Sequence, residues 1–337
     1  MKHLLFSHIL SMLLSPGAAT DRVAASASTA SAPCGRRGLE PRSAWKSPRD
    51  QALPCSSRPV LALGALGAWR GRQRSARRAA PGSEFTLDDG RRTVIVLPNE
   101  EEVMETIAEE TATLACTAIE EKGAFSLCVP GSFGPKDGKA FGGAKLIAKS
   151  LQLLSQEDLH FDKWHVFFAG ERLESQESFL LAKEWIDSSK IPKSQVHPIP
   201  QLPGAAEGAA AQYTAEICMQ DESVLMDSEE GLPALDLLLL DMAPDGTVGR
   251  LRPDSSEVKE LGSGKLILPI EEAGAEAAIA APDFMNAARC AVLVATGPAS
   301  ATTVATALAE PSPSCPASLL RPTRLTWLLD AESAASL

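Results

Sequence analysis

Histidine is scarce in this chain. Of five in 337 residues, only His160, His165 and His197 lie beyond residue 80, so chemistry that needs an imidazole base has few places to find one. Aromatic side chains are also few, at 5% with a single tyrosine, whereas the hydrophobic share of 45% is ordinary for a globular chain. The seven cysteines are odd in number, scattered, and form no Cys-x-x-Cys, which reads as buried or free thiols in a reducing compartment with no metal site. No internal repeat is visible, and beyond the N-terminal segment no apolar stretch reaches the ~20 residues that span a bilayer. Basic residues are short where a nucleic acid would need them. Residues 1–80 hold 13 Lys/Arg against 3 Asp/Glu, so in a chain of net charge −11 the remainder sits at about −21. A phosphate backbone demands a basic face, which excludes nucleic acid as the partner of this body.

The N-terminal segment reads as an address. Leu4 to Leu14 is a short apolar run behind Lys2, followed by small residues near Ala18 and Ala19, as in a signal peptide with its cleavage site. The next stretch is rich in Ala, Ser and Arg and poor in acid, like a transit peptide, and a second apolar patch, Val60 to Trp69, precedes the basic cluster Arg70 to Arg78. A signal sequence followed by a transit peptide resembles the bipartite presequence of algae with secondary plastids. The expectation is a targeting presequence over residues 1–84, delivery to a plastid stroma with the cytoplasm as alternative, and no membrane association after processing. A disordered basic tail with another role is the competing reading.

From residue 85 to 337 strands alternate with helices, which predicts one α/β domain: a Rossmann-like parallel sheet flanked by helices. Arg92 to Leu97 is β-branched and strand-like. Asn99 with Glu102 three residues on forms a capping box, and Val103, Ile107, Thr111, Leu114, Ala115 and Ala118 recur at helical spacing as far as the stop at Gly123. Further strands are expected at Ala124 to Val129, Trp164 to Ala169, Lys265 to Ile270, Cys290 to Thr296 and Leu325 to Asp330, with helices at Phe141 to Leu154, Ser178 to Asp187 and Ala205 to Met219. The stretch the rest is organised around is Leu235 to Pro253. Its apolar run, Leu235 and Leu237 to Leu240, ends in Asp241-Met242-Ala243-Pro244-Asp245-Gly246, a buried strand delivering a turn at the edge where open α/β sheets bind ligands.

That stretch resembles the Gly-x-Gly-Pro-Asp-Gly-His-Thr-x-Ser-Leu-Phe-Pro signature of 6-phosphogluconolactonases, within the glucosamine-6-phosphate isomerase/6-phosphogluconolactonase family. Asn286-Ala287-Ala288-Arg289 and Thr326-Trp327-Leu328-Leu329-Asp330 follow in the family's order, and the resemblance spans about residues 92–330. It implies hydrolysis of 6-phosphogluconolactone in the oxidative pentose-phosphate pathway, a sugar-phosphate ligand, and no cofactor.

The departures fall on the chemistry. Thr247 stands at the family's His, the general base, and a Thr hydroxyl does not take a proton at neutral pH unless something activates it. Pro130 replaces the first Ser of the glycine-rich phosphate turn and has no N–H to donate, leaving Gly131 and Ser132 either as a working cradle or as a structural loop. Gly170 replaces the Asp of Asp-Glu-Arg, while Glu171 and Arg172 survive; Arg172 is either an anion partner or paired with a carboxylate. Ala277 and Ser300 stand at an Arg and a Lys of the family. The resemblance therefore implies lactonase activity that is weak or lost. Two alternatives stay open. One is an active sugar-phosphate hydrolase with Asp245 or Glu171 as base and Arg172, Arg250 and Arg252 holding the anion; the other is a non-catalytic module binding a sugar phosphate or a protein partner. Arg250 and Arg252 also read as a solvated loop pairing with Asp254 and Glu257.

Overall fold

The computed structural model describes residues 80–337 apart from 88, 132–141, 156–158, 203 and 273; the expected presequence, except its last residues, and Ser132 lie outside them. The chain opens with β1 (Ser83–Thr86), which straddles the expected 84/85 boundary, then β2 (Arg92–Leu97), α1 (Glu100–Lys122) and β3 (Phe125–Val129). Next come α2 (Gly142–Leu154), β4 (Trp164–Phe168), β5 (Gly170–Arg172), α3 (Glu177–Ser189), β6 (Val196–His197) and α4 (Ala206–Cys218). The short β7 (Met226–Asp227) and β8 (Pro233–Ala234) lead into β9 (Leu237–Asp241), β10 (Ile267–Glu272) and β11 (Ala275–Ala280). The last elements are α5 (Pro282–Ala287), β12 (Cys290–Ala295), α6 (Ala301–Ala309) and β13 (Arg324–Asp330).

Among the described residues the main sheet has eight strands in the order β1-β2-β13-β12-β9-β3-β4-β6. Every pairing is parallel except β1 with β2 at the edge. This is the α/β architecture that the alternation of elements predicts. The central strands β9 and β12 are buried at every residue, as Leu- and Val-rich strands covered on both faces must be. One feature was not foreseen. Beyond β4 the chain leaves the main sheet, and β5 pairs antiparallel with β11, which pairs with β10 in a separate three-stranded sheet.

Local chemistry sets the element ends. Asn99 Oδ1 accepts the Glu102 N–H at 3.0 Å at the start of α1, and Gly123, at φ +88, returns its N–H to the Ile119 carbonyl to end it. Thr111, the polar member of the α1 stripe, is fully buried and satisfied by donating to the Ile107 carbonyl at 2.7 Å. Leu114 packs against the core at the flank of the helix and is only half-buried. The single tyrosine is core. Tyr213 OH accepts the Phe168 N–H at 2.9 Å, tying α4 to the last residue of β4. Cys128, Cys290 and Cys315 are free thiols as expected, and Cys116 forms no disulfide; Cys218 departs from that expectation, being disulfide-bonded.

The two histidines near the β6 edge belong to structure. Gln195 Nε2 meets His165 Nε2 at 3.3 Å, His165 Nδ1 meets His197 Nε2 at 3.1 Å, and His197 Nδ1 meets Glu216 Oε1 at 2.9 Å. One assignment satisfies all three bonds: both rings neutral, each carrying its proton on Nδ1. A second proton on His165 would face the Gln195 amide donor. Burial first, then His197 and Lys122, hold the His165 pKa down at about 4. Because the folded value lies below the unfolded 6.5, the stability this group contributes is complete above pH 6.5 and is lost as pH falls toward 4. Thermal melts across that window are expected to show a shallower acid arm in His165→Gln than in the wild type; superimposable arms would remove His165 from the acid response.

Candidate functional site

The site is set by a reversal in strand order. From β3 the chain moves outward to β4 and β6, whereas from β9 it moves the other way to β12 and β13, so the loops leaving the carboxyl ends of the neighbours β3 and β9 diverge. Such a divergence opens the crevice in which doubly wound sheets bind ligands.

The turn after β9 is closed on itself and clamped from outside. Ala243 N–H donates to the Thr247 carbonyl and Gly246 N–H to the Ala243 carbonyl, both at 2.9 Å. Asp245 Oδ1 accepts the Thr247 N–H at 2.9 Å, and Gly246 sits at φ +89, a left-handed conformation that suits glycine. Thr303 of α6 donates to the Pro244 carbonyl, and Ala317 N–H to that of Gly246 at 3.3 Å. A Cβ on Gly246 would lie 3.0 Å from the Cys315 sulfur. The Pro-Asp-Gly turn is therefore held between α6 and the segment that follows it. On this frame Asp245 is exposed and Thr247 half-buried. Arg250 is half-buried at φ +69 and Arg252 is exposed. The Glu257 pKa is lowered: burial opposes this, backbone and serine hydrogen bonds drive it, and the Arg252 charge adds to it.

Across the crevice, the loops after β3 and β4 touch through their backbones. A Cβ on Gly131 would lie 2.5 Å from the Gly170 Cα, so only glycine fits at 131. Glu171 and Arg172 lie in β5, opposite Ala278 and Ala277 of β11. Glu171 is 2% exposed, and its carboxylate accepts the N–H groups of Ser178, Phe179 and Arg172 at 2.8–3.1 Å. It thereby caps α3, whose own N-cap residue, Gln176, offers no side-chain bond. Burial pushes the Glu171 pKa up to about 7, against the pull of those N–H groups. Arg172 pairs with Glu177 at 3.4 Å. Direct contacts thus gather the expected residues in two groups, Asp245 with Thr247 on the β9 turn, and Gly131 against Gly170 beside Glu171 and Arg172. The two positions that the resemblance sets against an Arg and a Lys are closed: Ala277 is buried, and Ser300 is buried with its hydroxyl on the Thr296 carbonyl at 3.2 Å.

Asp241 was missed as a site residue. It is the last residue of β9, paired with Val294, rather than the first of the loop, and is 7% exposed. A Cβ on Gly143 would lie 2.6 Å from the Asp241 Cβ, so the first turn of α2 rests directly on this side chain. That turn contains no acidic residue of its own, and Asp241 places a carboxylate at the positive end of the helix. The signal in the sequence was an Asp ending an otherwise apolar strand.

A largely parallel sheet with a clamped turn and a helix start converging on its strand divergence defines a doubly wound α/β protein of the ligand-binding kind. The family model described as glucosamine-6-phosphate isomerases/6-phosphogluconolactonase matches residues 98–328, and the chain belongs to that family. A probable chloroplastic 6-phosphogluconolactonase 3 of Oryza sativa subsp. indica is 34% identical over 180 residues, half of each chain. The chain thus spans about half the length of that relative. A 6-phosphogluconolactonase of Nostoc is 27% identical over 256 residues, 73% of this chain and 99% of its own. The solved 6-phosphogluconolactonase of Trypanosoma brucei shares the fold with a TM-score of 0.60 and 19% identity, over 72% of this chain and 98% of its own.

Proposed function

We propose that this chain is a 6-phosphogluconolactonase-like protein of the oxidative pentose-phosphate pathway in which hydrolysis of the lactone is weak or lost. The observation that carries the reading is the clamped Pro-Asp-Gly turn presenting Thr247. Opening a sugar lactone requires water to attack the ester carbonyl while a base takes its proton and cations hold the distal phosphate. The turn that would deliver the base is built and fixed by Asp245, Thr303 and Ala317, but it delivers a hydroxyl. The other carboxylate considered, Glu171, is engaged with three N–H groups. The purified full chain is expected to hydrolyse 6-phosphogluconolactone at close to the spontaneous rate. A clear excess over that rate would overturn the reading and return the search for a base to Asp245 and Glu171, with Arg172, Arg250 and Arg252 as anion partners.

Asp241 favours a second reading, a non-catalytic module that binds a sugar phosphate weakly or meets a protein partner. A carboxylate already standing at the start of α2 competes with a phosphate for the same positive end. Addition of 6-phosphogluconate separates the two: a rise in melting temperature supports a retained sugar-phosphate site, and no rise leaves the protein-partner reading. The chloroplastic names of the rice relatives support a plastid address carried by residues 1–84. The single domain of residues 85–337 and Gly131 and Ser132 as phosphate contacts belong to the same proposal.

A further inference from the structure

A cavity of about 540 Å³ lies at the edge opposite the candidate site, where β2, β13 and β12 begin. Its volume is that of a small-molecule site, typically ~300–1,000 Å³. One wall is a face of α1 made by Leu114, Thr117, Ala118 and Glu121, at the spacing that stacks side chains on one side of a helix. The half-buried Leu114 turns apolar surface to this cavity. Cys290 continues that wall; burial raises its pKa, so it behaves as an apolar thiol.

The rest of the lining is Thr86, Gly90, Thr93, Thr323 and Asp236 together with three arginines. Arg91, Arg289 and Arg324 border the cavity, in a body whose charge is about −21. Two more arginines crowd nearby: burial, then the charge of Arg92 and, against Asp89, that of Arg91, lower the Arg321 pKa. The carboxylates facing these groups are already engaged. Asp236 holds Lys122 and Arg289 at 2.9 and 3.0 Å, and Glu121 holds Arg289 at 2.9 Å. Arg324 reaches Glu110 only at 3.5 Å, with both side chains more than a third exposed or nearly so, a weak and replaceable pair.

We propose that this cavity binds an organic phosphate of nucleotide size, the phosphate on Arg91 and Arg324 and the planar body against Leu114, Ala118 and Cys290. The guanidinium fork matches phosphate geometry, and the apolar wall supplies the surface that a free inorganic ion would not use. The site stands independently of the lactonase reading, because it shares no residue with it.

AMP is the probe, with adenosine as its phosphate-free control, titrated calorimetrically into the full chain. Saturable AMP binding is expected, at least tenfold tighter than adenosine. Arg91→Gln and Arg324→Gln should each weaken it about tenfold, and Thr117→Trp, which fills the cavity from the half-buried face of α1, should abolish it. Circular dichroism establishes that each variant is folded, and exposed Arg91 supplies the variant least able to disturb the fold. Absence of saturable AMP binding by the wild type would overturn the proposal. So would binding that survives both arginine substitutions, or binding lost in Arg172→Gln and kept in Arg324→Gln.

Discussion

Thr247→His is expected to raise the rate of 6-phosphogluconolactone hydrolysis by about 10²–10⁴ over the wild type, the range a positioned general base contributes. The turn is already shaped to present the imidazole. Asp245 fixes the residue-247 backbone N–H, and Thr303 and Ala317 hold the turn from outside, so the substitution changes the side chain without asking the backbone to move. The gain should be larger with Asp241→Gly added, because removal of that carboxylate frees the start of α2 for the substrate phosphate. A steady-state assay with the spontaneous rate subtracted decides the matter. No gain in either variant would mean that the closed positions Ala277 and Ser300 cost the site its phosphate grip as well.

Asp236→Ala is expected to cost about 3–5 kcal/mol, the penalty for stripping the counter-charge from buried cations. Asp236 stands just before β9, and its carboxylate accepts the Ser126 N–H and hydroxyl at 2.8 Å, besides Lys122 at 2.9 Å and Arg289 at 3.0 Å. Lys122 and Asp236 side chains are 8% and 4% exposed, so water cannot replace what is removed. Burial already lowers the Lys122 pKa, with Asp236 opposing that shift, so loss of the carboxylate leaves the ammonium disfavoured. For a body of this size the loss corresponds to a melting temperature lower by roughly 6–20 °C. Lys122→Met in the same chain should recover part of it. A drop below about 2 °C would show that Lys122 and Arg289 find solvent unaided.

Asp236 also shows where sequence reading stops. The Asn-Ala-Ala-Arg motif was read as a family marker, yet its physical content is Arg289 meeting Asp236 and Glu121, and Asn286 holding the Arg321 N–H at 2.6 Å. Those partners are far apart in sequence, and no local pattern pairs them. What was legible was local. The Asn99 cap, the Gly123 stop and the Pro-Asp-Gly turn each rest on bonds spanning four residues or fewer, and the structure has all three. The parallel sheet was legible because its central strands β9 and β12 are continuous apolar runs, β9 broken only by its closing Asp241. The departure of β5 into a second sheet was not, because three residues carry no usable period. The cap that Glu171 makes on α3 was hidden too, since seven or eight residues separate it from Ser178 and Phe179. Of the site, the turn and the Thr247 it carries could be read, whereas Asp241 under α2 needed the packing of a helix against a strand end.

The place of β13 has a consequence for assembly. This strand, 324–330, lies between β12 and β2, and pairs Leu325 with Arg92 and Asp330 with Leu97. Among the described residues the β1–β2 hairpin joins the sheet only through β13. During synthesis that hairpin waits, the β2 edge that will meet β13 unsatisfied, until more than two hundred further residues have emerged. Closing so long a loop is slow, and an exposed strand edge in the interval invites the wrong neighbour. A ribosome-bound chain of this fold is therefore a natural client for a chaperone until its final strand arrives.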